Sequence, residues 1–89
     1  MLEDVKKYLR ITSNALNDDI ESLIKACKEQ LSGNGVDVES KKYSEFIKLA
    51  IKHFCKAHMP GEELEKHFKC YESLESYLMN VCRKDEGSE

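Results

Sequence analysis

Residues 53–70 read HFCKAHMPGEELEKHFKC, two cysteines and three histidines divided by a Pro-Gly pair. Two readings of this stretch compete. In the first, Cys55 and His58 lie one turn apart on one helix and His67 and Cys70 one turn apart on the next, a C-x2-H-x8-H-x2-C pattern that a helical hairpin could close around zinc. In the second, the stretch is a turn between two amphipathic helices, and its cysteines are small buried hydrophobes. The second reading is preferred because one cause covers all four cysteines: Cys27 continues the stripe of Leu23, Ile24 and Leu31, Cys55 that of Ile47 and Ile51, Cys70 that of Leu74 and Val81, and Cys82 that of Leu74 and Leu78. Zinc would use only two cysteines and leave His53 over, and neither pair has the common C-x2-C spacing. Near a helix C-terminus His58 is favoured simply as a partial cation. Met59-Pro60-Gly61 then ends the helix, since a residue before proline is pushed out of the helical region and glycine eases the reversal.

Upstream of the turn, KKYSEFIKLAIKHFCKAH carries Tyr43, Phe46, Ile47, Ala50, Ile51, Phe54 and Cys55 on a wide apolar face, a central helix that Ser40 can cap. Downstream, Leu64, Phe68, Tyr71, Leu74, Leu78 and Cys82 predict a last helix, with a break allowed near Phe68 to Cys70. Toward the N-terminus, TSNALNDDIESLIKACKEQLSGNG has the clearest periodicity: Leu16, Ile20, Leu23, Ile24, Cys27 and Leu31 share one face, Asn14 or Asn17 marks the cap region, and Gly33 and Gly35 stop the helix. MLEDVKKYLRI places Leu2, Val5, Tyr8 and Leu9 at helical spacing, acids early and bases late, as the helix dipole prefers. The intervening NGVDVES contains a turn-forming Asn-Gly, but its flanks alternate too briefly for two strands, so it reads as a loop. The expectation is an all-α fold, a small bundle of four helices with short connections and antiparallel neighbours, formed by residues 1–82 as one domain, with 83–89 (RKDEGSE) a polar flexible tail.

Bulk properties narrow the function. The chain's 89 residues bury only about 60–65 % of the surface that the unfolded chain exposes, so a helper such as self-association would suit a core this thin. A composition 40% hydrophobic and 35% charged suits a soluble helical domain. The charged N-terminus and the lack of any apolar run near the roughly 18 residues needed to span a bilayer give no membrane segment. The protein is expected to be made inside the cell, where its cysteines stay reduced. A net charge of -3 argues against general affinity for nucleic acid. Lys48, Lys52 and Lys56 form a row on the central helix; such a row is ordinarily a solvated face, the alternative being a basic strip toward an acidic partner or DNA. Tyr8, Tyr43 and Tyr77 read as half-buried core residues.

No catalytic residue, cofactor site or metal is expected. The cysteines fall on apolar stripes rather than in an exposed electropositive setting, there is no phosphate loop or nucleophile elbow, and Asp18-Asp19 favours a helix start. Two other classes stay open: a helical nucleic-acid-binding regulator, since short helices with tight turns also describe helix-turn-helix domains, and a zinc-stabilised interaction module using Cys55, His58, His67 and Cys70.

LEDVKKYLRI followed by NDDIESLIKACKEQL resembles the head-tail connector family of tailed bacteriophages, also called head-completion or DNA-packaging adaptors. In that family a first helix ending in a Leu-Arg-Ile type sequence leads through an acidic loop into a long second helix, matched here by Leu9, Arg10, Ile11, Asp18, Asp19, Leu23, Ile24 and Ala26. KLAIKHFCKAH and SLESYLMNVCR are similar to the family's later helices. The resemblance implies no chemistry. It implies a ring of about a dozen identical subunits on the portal protein, extending the channel through which double-stranded DNA passes and presenting a surface to a tail-side connector or stopper protein. It places the protein in the host bacterial cytoplasm during assembly and then at the virion head-tail junction. The residues expected at its interfaces are Asn34, Gly35, Val36, Asp37 and Val38 in the loop and Arg83 and Lys84 in the tail, because both segments can order on contact.

Overall fold

The computed structural model describes residues 1–59, 61 and 63–84. Pro60 of the expected helix stop and tail residues 85–89 lie outside them. Four helices follow in order: α1 (Leu2–Leu9), α2 (Asn17–Gly33), α3 (Ser44–Ala57) and α4 (Leu64–Val81). The described residues contain no named strand, only an isolated antiparallel bridge between Val36 and Arg83. The fold is the all-α bundle that the periodicities imply.

Helices α3 and α4 make the most extensive contact. Their partners run in opposite order: Phe46 meets Tyr77, Phe54 meets Tyr71 and His53 meets His67, which is an antiparallel hairpin. Helix α2 closes one side of it and α1 lies across α2 and α3. The core is assembled from Val5 of α1, Ile20, Ile24, Cys27 and Leu31 of α2, the α3 stripe from Ile47 to Cys55, and Tyr71 and Leu78 of α4, sealed by Val36 and Cys82. Each helix contributes most of the stripe that its spacing of apolar residues prescribes, Leu16, Phe46, Leu64 and Phe68 being left exposed.

Four local expectations are revised. Helix α4 is unbroken through Phe68 to Cys70, because nothing from Leu64 to Val81 is glycine or proline and every residue can hold the helical hydrogen bonds. Its first turn also turns outward: Leu64 and Phe68 are exposed, Phe68 to 45%. At α2 the N-cap is Leu16 without a side-chain cap; Asn14 instead accepts a hydrogen bond from the buried Lys6 ammonium at 2.9 Å, tying α1 to the α2 entry. Ser40 caps a turn ahead of α3, its Oγ accepting from the Tyr43 backbone N–H at 3.3 Å.

Helices α1 and α2 end in the same way. Beyond α1, the Arg10 N–H donates to the Lys7 carbonyl and the Ile11 N–H to the Lys6 carbonyl; beyond α2, Gly35 donates to Ser32 and Val36 to Leu31. These are Schellman caps, in which a left-handed residue reverses the chain and an apolar residue follows it inward. The left-handed residue is Gly35 at φ 90° in one and Arg10 at φ 61° in the other.

Candidate functional site

The loop and the chain end expected to form interfaces meet each other. Past the α2 cap, Val36 is fully buried, so its side chain packs inside the chain. The Asp37 N–H donates to the Cys82 carbonyl at 2.8 Å and the Lys84 N–H to the Gly35 carbonyl at 2.8 Å. The Cys82 thiol donates to the Asp37 carbonyl at 3.3 Å. Arg83 and Lys84, read from sequence as the start of a flexible tail, are therefore fastened to the loop, because their backbone groups complete a pairing that composition does not reveal. Asn34 is held too: its amide donates to Glu75 Oε2 at 2.9 Å, and the same oxygen accepts from Gln30 at 3.1 Å and from the Tyr71 hydroxyl at 3.2 Å. What this segment offers outward is Asn34, Arg83 and Lys84, which are exposed, and Gly35, Asp37 and Val38, which are partly so.

Two surfaces of unlike shape lie at or near this closure. One is an open groove of about 930 Å³ with an apolar floor of Met1, Leu2, Ile24 and Val38, edged by Lys25, Lys28 and Lys84 and by Glu21, Glu29 and Glu39. The other is a ridge where α3 starts and α4 ends: Tyr43, Phe46 and Tyr77 stack edge to face or tilted, with the Phe46 and Tyr77 rings 5.3 Å apart. Phe46 and Tyr77 are each 43% exposed, and the Lys42 ammonium sits over the Tyr43 ring. Aromatic side chains so placed bring large contact area at small entropic cost. Phe46 falls on the apolar face by spacing, but that face is wider than α2 and α4 can cover, so its edge is left outside.

The four residues of the zinc pattern are not gathered. Cys55 is fully buried in the core. His58 stacks on Phe54 and its Nδ1 donates to the Phe54 carbonyl at 2.8 Å, an interaction within its own helix. His67 turns instead toward His53, the histidine that the pattern leaves over. Among the described residues no group of three or more His, Cys, Asp or Glu side chains is arranged to hold a metal ion. All four cysteines are free thiols, three buried and Cys70 partly so. Burial pushes the Cys27 thiol up to about 12 and Cys55 up to about 11, so neither supplies thiolate near neutral pH. Tyr71 beside Cys27 is also raised, first by burial and then by Cys27 and Glu75.

Of the lysine row, Lys48 pairs with Glu45 at 3.8 Å on the surface. Lys52 lies over the Tyr8 ring and Lys56 edges a cleft with Tyr8, Arg10, Glu63 and His67. The row is thus divided between solvent and the α1 contact rather than forming a continuous basic strip. No described helix is long and apolar enough to cross a membrane.

The sequence model of a family described as phage connector protein matches residues 1–85, nearly the whole chain. No curated protein and no solved structure matches it.

Proposed function

We propose that this chain, which belongs to the phage connector protein family, is a structural adaptor at the head-tail junction of a tailed phage or an integrated prophage. Identical copies close into a ring on the portal protein, extend the channel along which double-stranded DNA passes, and present a face to the tail-side connector or stopper protein. The protein acts by contact and carries out no reaction. It assembles in the host cytoplasm and remains in the virion.

The family match over residues 1–85 carries this reading. The surfaces support its ring component. A ring of identical subunits needs heterologous contacts, one patch of each copy meeting a different patch of the next. The groove floored by Leu2, Ile24 and Val38 and the ridge of Tyr43, Phe46 and Tyr77 share no residue and differ in shape. A thin core gains from burying such surfaces against a neighbour. A net charge of -3 suits a channel through which DNA slides without sticking.

Native mass spectrometry of the purified chain, alone and mixed with the matching portal protein, tests the proposal. A ring mass, or a portal complex that electron microscopy resolves as a ring, is the expected result. Bare monomer in both samples overturns it. Phe46→Glu, on an exposed position, is expected to leave the helical spectrum intact and to abolish the assembly.

A further inference from the structure

The His53 and His67 Nδ1 atoms lie 3.0 Å apart across the α3–α4 hairpin, and the Tyr8 hydroxyl of α1 reaches the same His53 Nδ1 at 3.4 Å. We propose that these three side chains form an acid-sensitive clamp that fastens α1 to the hairpin. Two facing ring nitrogens make a hydrogen bond only if one carries a proton and the other a lone pair. In the assignment that lets the Tyr8 O–H donate, His53 carries its proton on Nε2, and its single Nδ1 lone pair is shared between the His67 Nδ1–H at 3.0 Å and, more weakly, the Tyr8 O–H at 3.4 Å. Protonating His53 places a hydrogen on Nδ1. That step takes the acceptor from the Tyr8 O–H, the contact that ties α1 to the hairpin, and sets two N–H groups against each other unless His67 moves its own proton to Nε2. The rings are otherwise packed, with centroids 5.2 Å apart for the histidines and Tyr8 edge-on at 5.8 and 6.4 Å.

The surroundings oppose the extra charge. From α1 and its cap, Tyr8 and Arg10 face the pair; from α3, Lys52 and Lys56; from the α4 entry, Glu63. On the outer side His53 meets Glu65, Lys66, Lys69 and Cys70. Cations outnumber carboxylates in this set. Burial first, and His67 second, hold His53 below its ordinary value of 6.5. Two imidazoles and a phenol fall short of the four ligands of a structural zinc site, so the proton is the species this geometry is suited to sense.

The sign of the pH dependence follows. Well above 6.5 neither folded nor unfolded chain carries the proton and the clamp is closed. As pH falls below 6.5 the unfolded chain takes up the proton while folded His53, whose pKa is lowered, does not, so stability falls with pH until the folded value is passed. One proton changes the folding constant by at most about tenfold per pH unit within that window. Met1 and Leu2 of the same helix wall the groove, so opening the clamp loosens the groove as well.

The clamp can be tested on the isolated chain, whatever it assembles with. Amide exchange, corrected for the intrinsic pH dependence, is followed from about pH 7.5 to about pH 5. The expected result is that α1 amides lose protection below 6.5 by up to about tenfold per pH unit, ahead of α2 and α3. In His53→Gln, which cannot titrate, that increment disappears; in Tyr8→Phe, α1 protection is severalfold lower already at neutral pH. A flat wild-type profile, or the same acid increment in His53→Gln, overturns the proposal. Tautomers read by long-range proton–nitrogen NMR on the wild-type chain need no variant to fold: His53 as Nε2–H with His67 as Nδ1–H supports the clamp, and both histidines as Nε2–H overturns it.

Discussion

The two Schellman caps use the same hydrogen bonds but different residues. At the end of α2 the left-handed position is Gly35, which meets no neighbouring atom where a Cβ would stand, and the apolar residue behind it, Val36, is fully buried. At the end of α1 the left-handed position is Arg10, and the following Ile11 is only partly buried. The first cap is built for stability: residue type matches conformation, and the C-terminal segment then pairs with the loop it creates. The second accepts strain of roughly 1 kcal/mol for a side chain with a Cβ, and that side chain edges the cleft shared by Tyr8, Lys56, Glu63 and His67. The contrast separates a structural end of the molecule from one whose composition follows something other than local stability.

Replacing the apolar residue behind each cap breaks this comparison most strongly. Val36→Ala is expected to destabilise the chain by about 2–3 kcal/mol, from two lost methyl groups and the cavity they leave. Ile11→Ala is expected to cost less than half as much, although its side chain is larger. Urea denaturation of both variants checks this; equal losses would remove the distinction between the two ends. Next comes Gly35→Ala. Space is open around it, so any loss comes from the backbone at φ 90°, and about 1–2 kcal/mol is expected. A smaller effect follows from ending the chain after Cys82. That deletion removes the Lys84 N–H donor to Gly35 and should cost about 1 kcal/mol, read as a lower midpoint and faster exchange of amides 35–37. No change would return Arg83 and Lys84 to the flexible tail that their polarity suggests.

The fold was legible because helices announce themselves by periodicity. Of the α2 stripe, Ile20, Ile24, Cys27 and Leu31 are buried as its spacing demands while Leu23 is half-buried and Leu16 is exposed, and burial on such stripes accounts for Cys27, Cys55 and Cys82, with Cys70 only partly covered. What escaped the sequence is whatever depends on which helix covers which. Phe46 and Phe68 have apolar spacing, yet each meets a facing helix only along one edge, Phe46 at Tyr77 and Phe68 at His58, and both are exposed. Val36 sits in a polar loop and gave no periodic signal, and its burial follows from the chain end pairing beside it. Glu75, which gathers Gln30, Asn34 and Tyr71 on one oxygen, looks like one more exposed acid until α2 and α4 are brought together. His53 was set aside because helical spacing links His58 to Cys55 and His67 to Cys70, whereas the antiparallel hairpin links His53 to His67. The two candidate interface segments were each recognisable as polar and turn-rich, but their mutual pairing was not, since an isolated backbone bridge leaves no pattern in side chains.

The smallest of the expected effects sharpens the comparison most, because it runs opposite to the usual direction. Most substitutions destabilise, yet Arg10→Gly is expected to stabilise the chain by about 0.5–1 kcal/mol. Glycine enters the left-handed region without the clash between Cβ and carbonyl that Arg10 accepts at φ 61°. Part of that gain is offset by the greater freedom of glycine in the unfolded chain. Arg10 is exposed and makes no ion pair among the described residues, so little else is lost from the monomer. A raised urea midpoint, with the portal- or ring-forming ability of the variant reduced, would show that the arginine is kept for its position in the Tyr8–His67 cleft. A raised midpoint with assembly unchanged would make Arg10 dispensable to both. A lowered midpoint would mean that the guanidinium stabilises the end of α1 itself, and the two caps would then differ in residue but not in purpose.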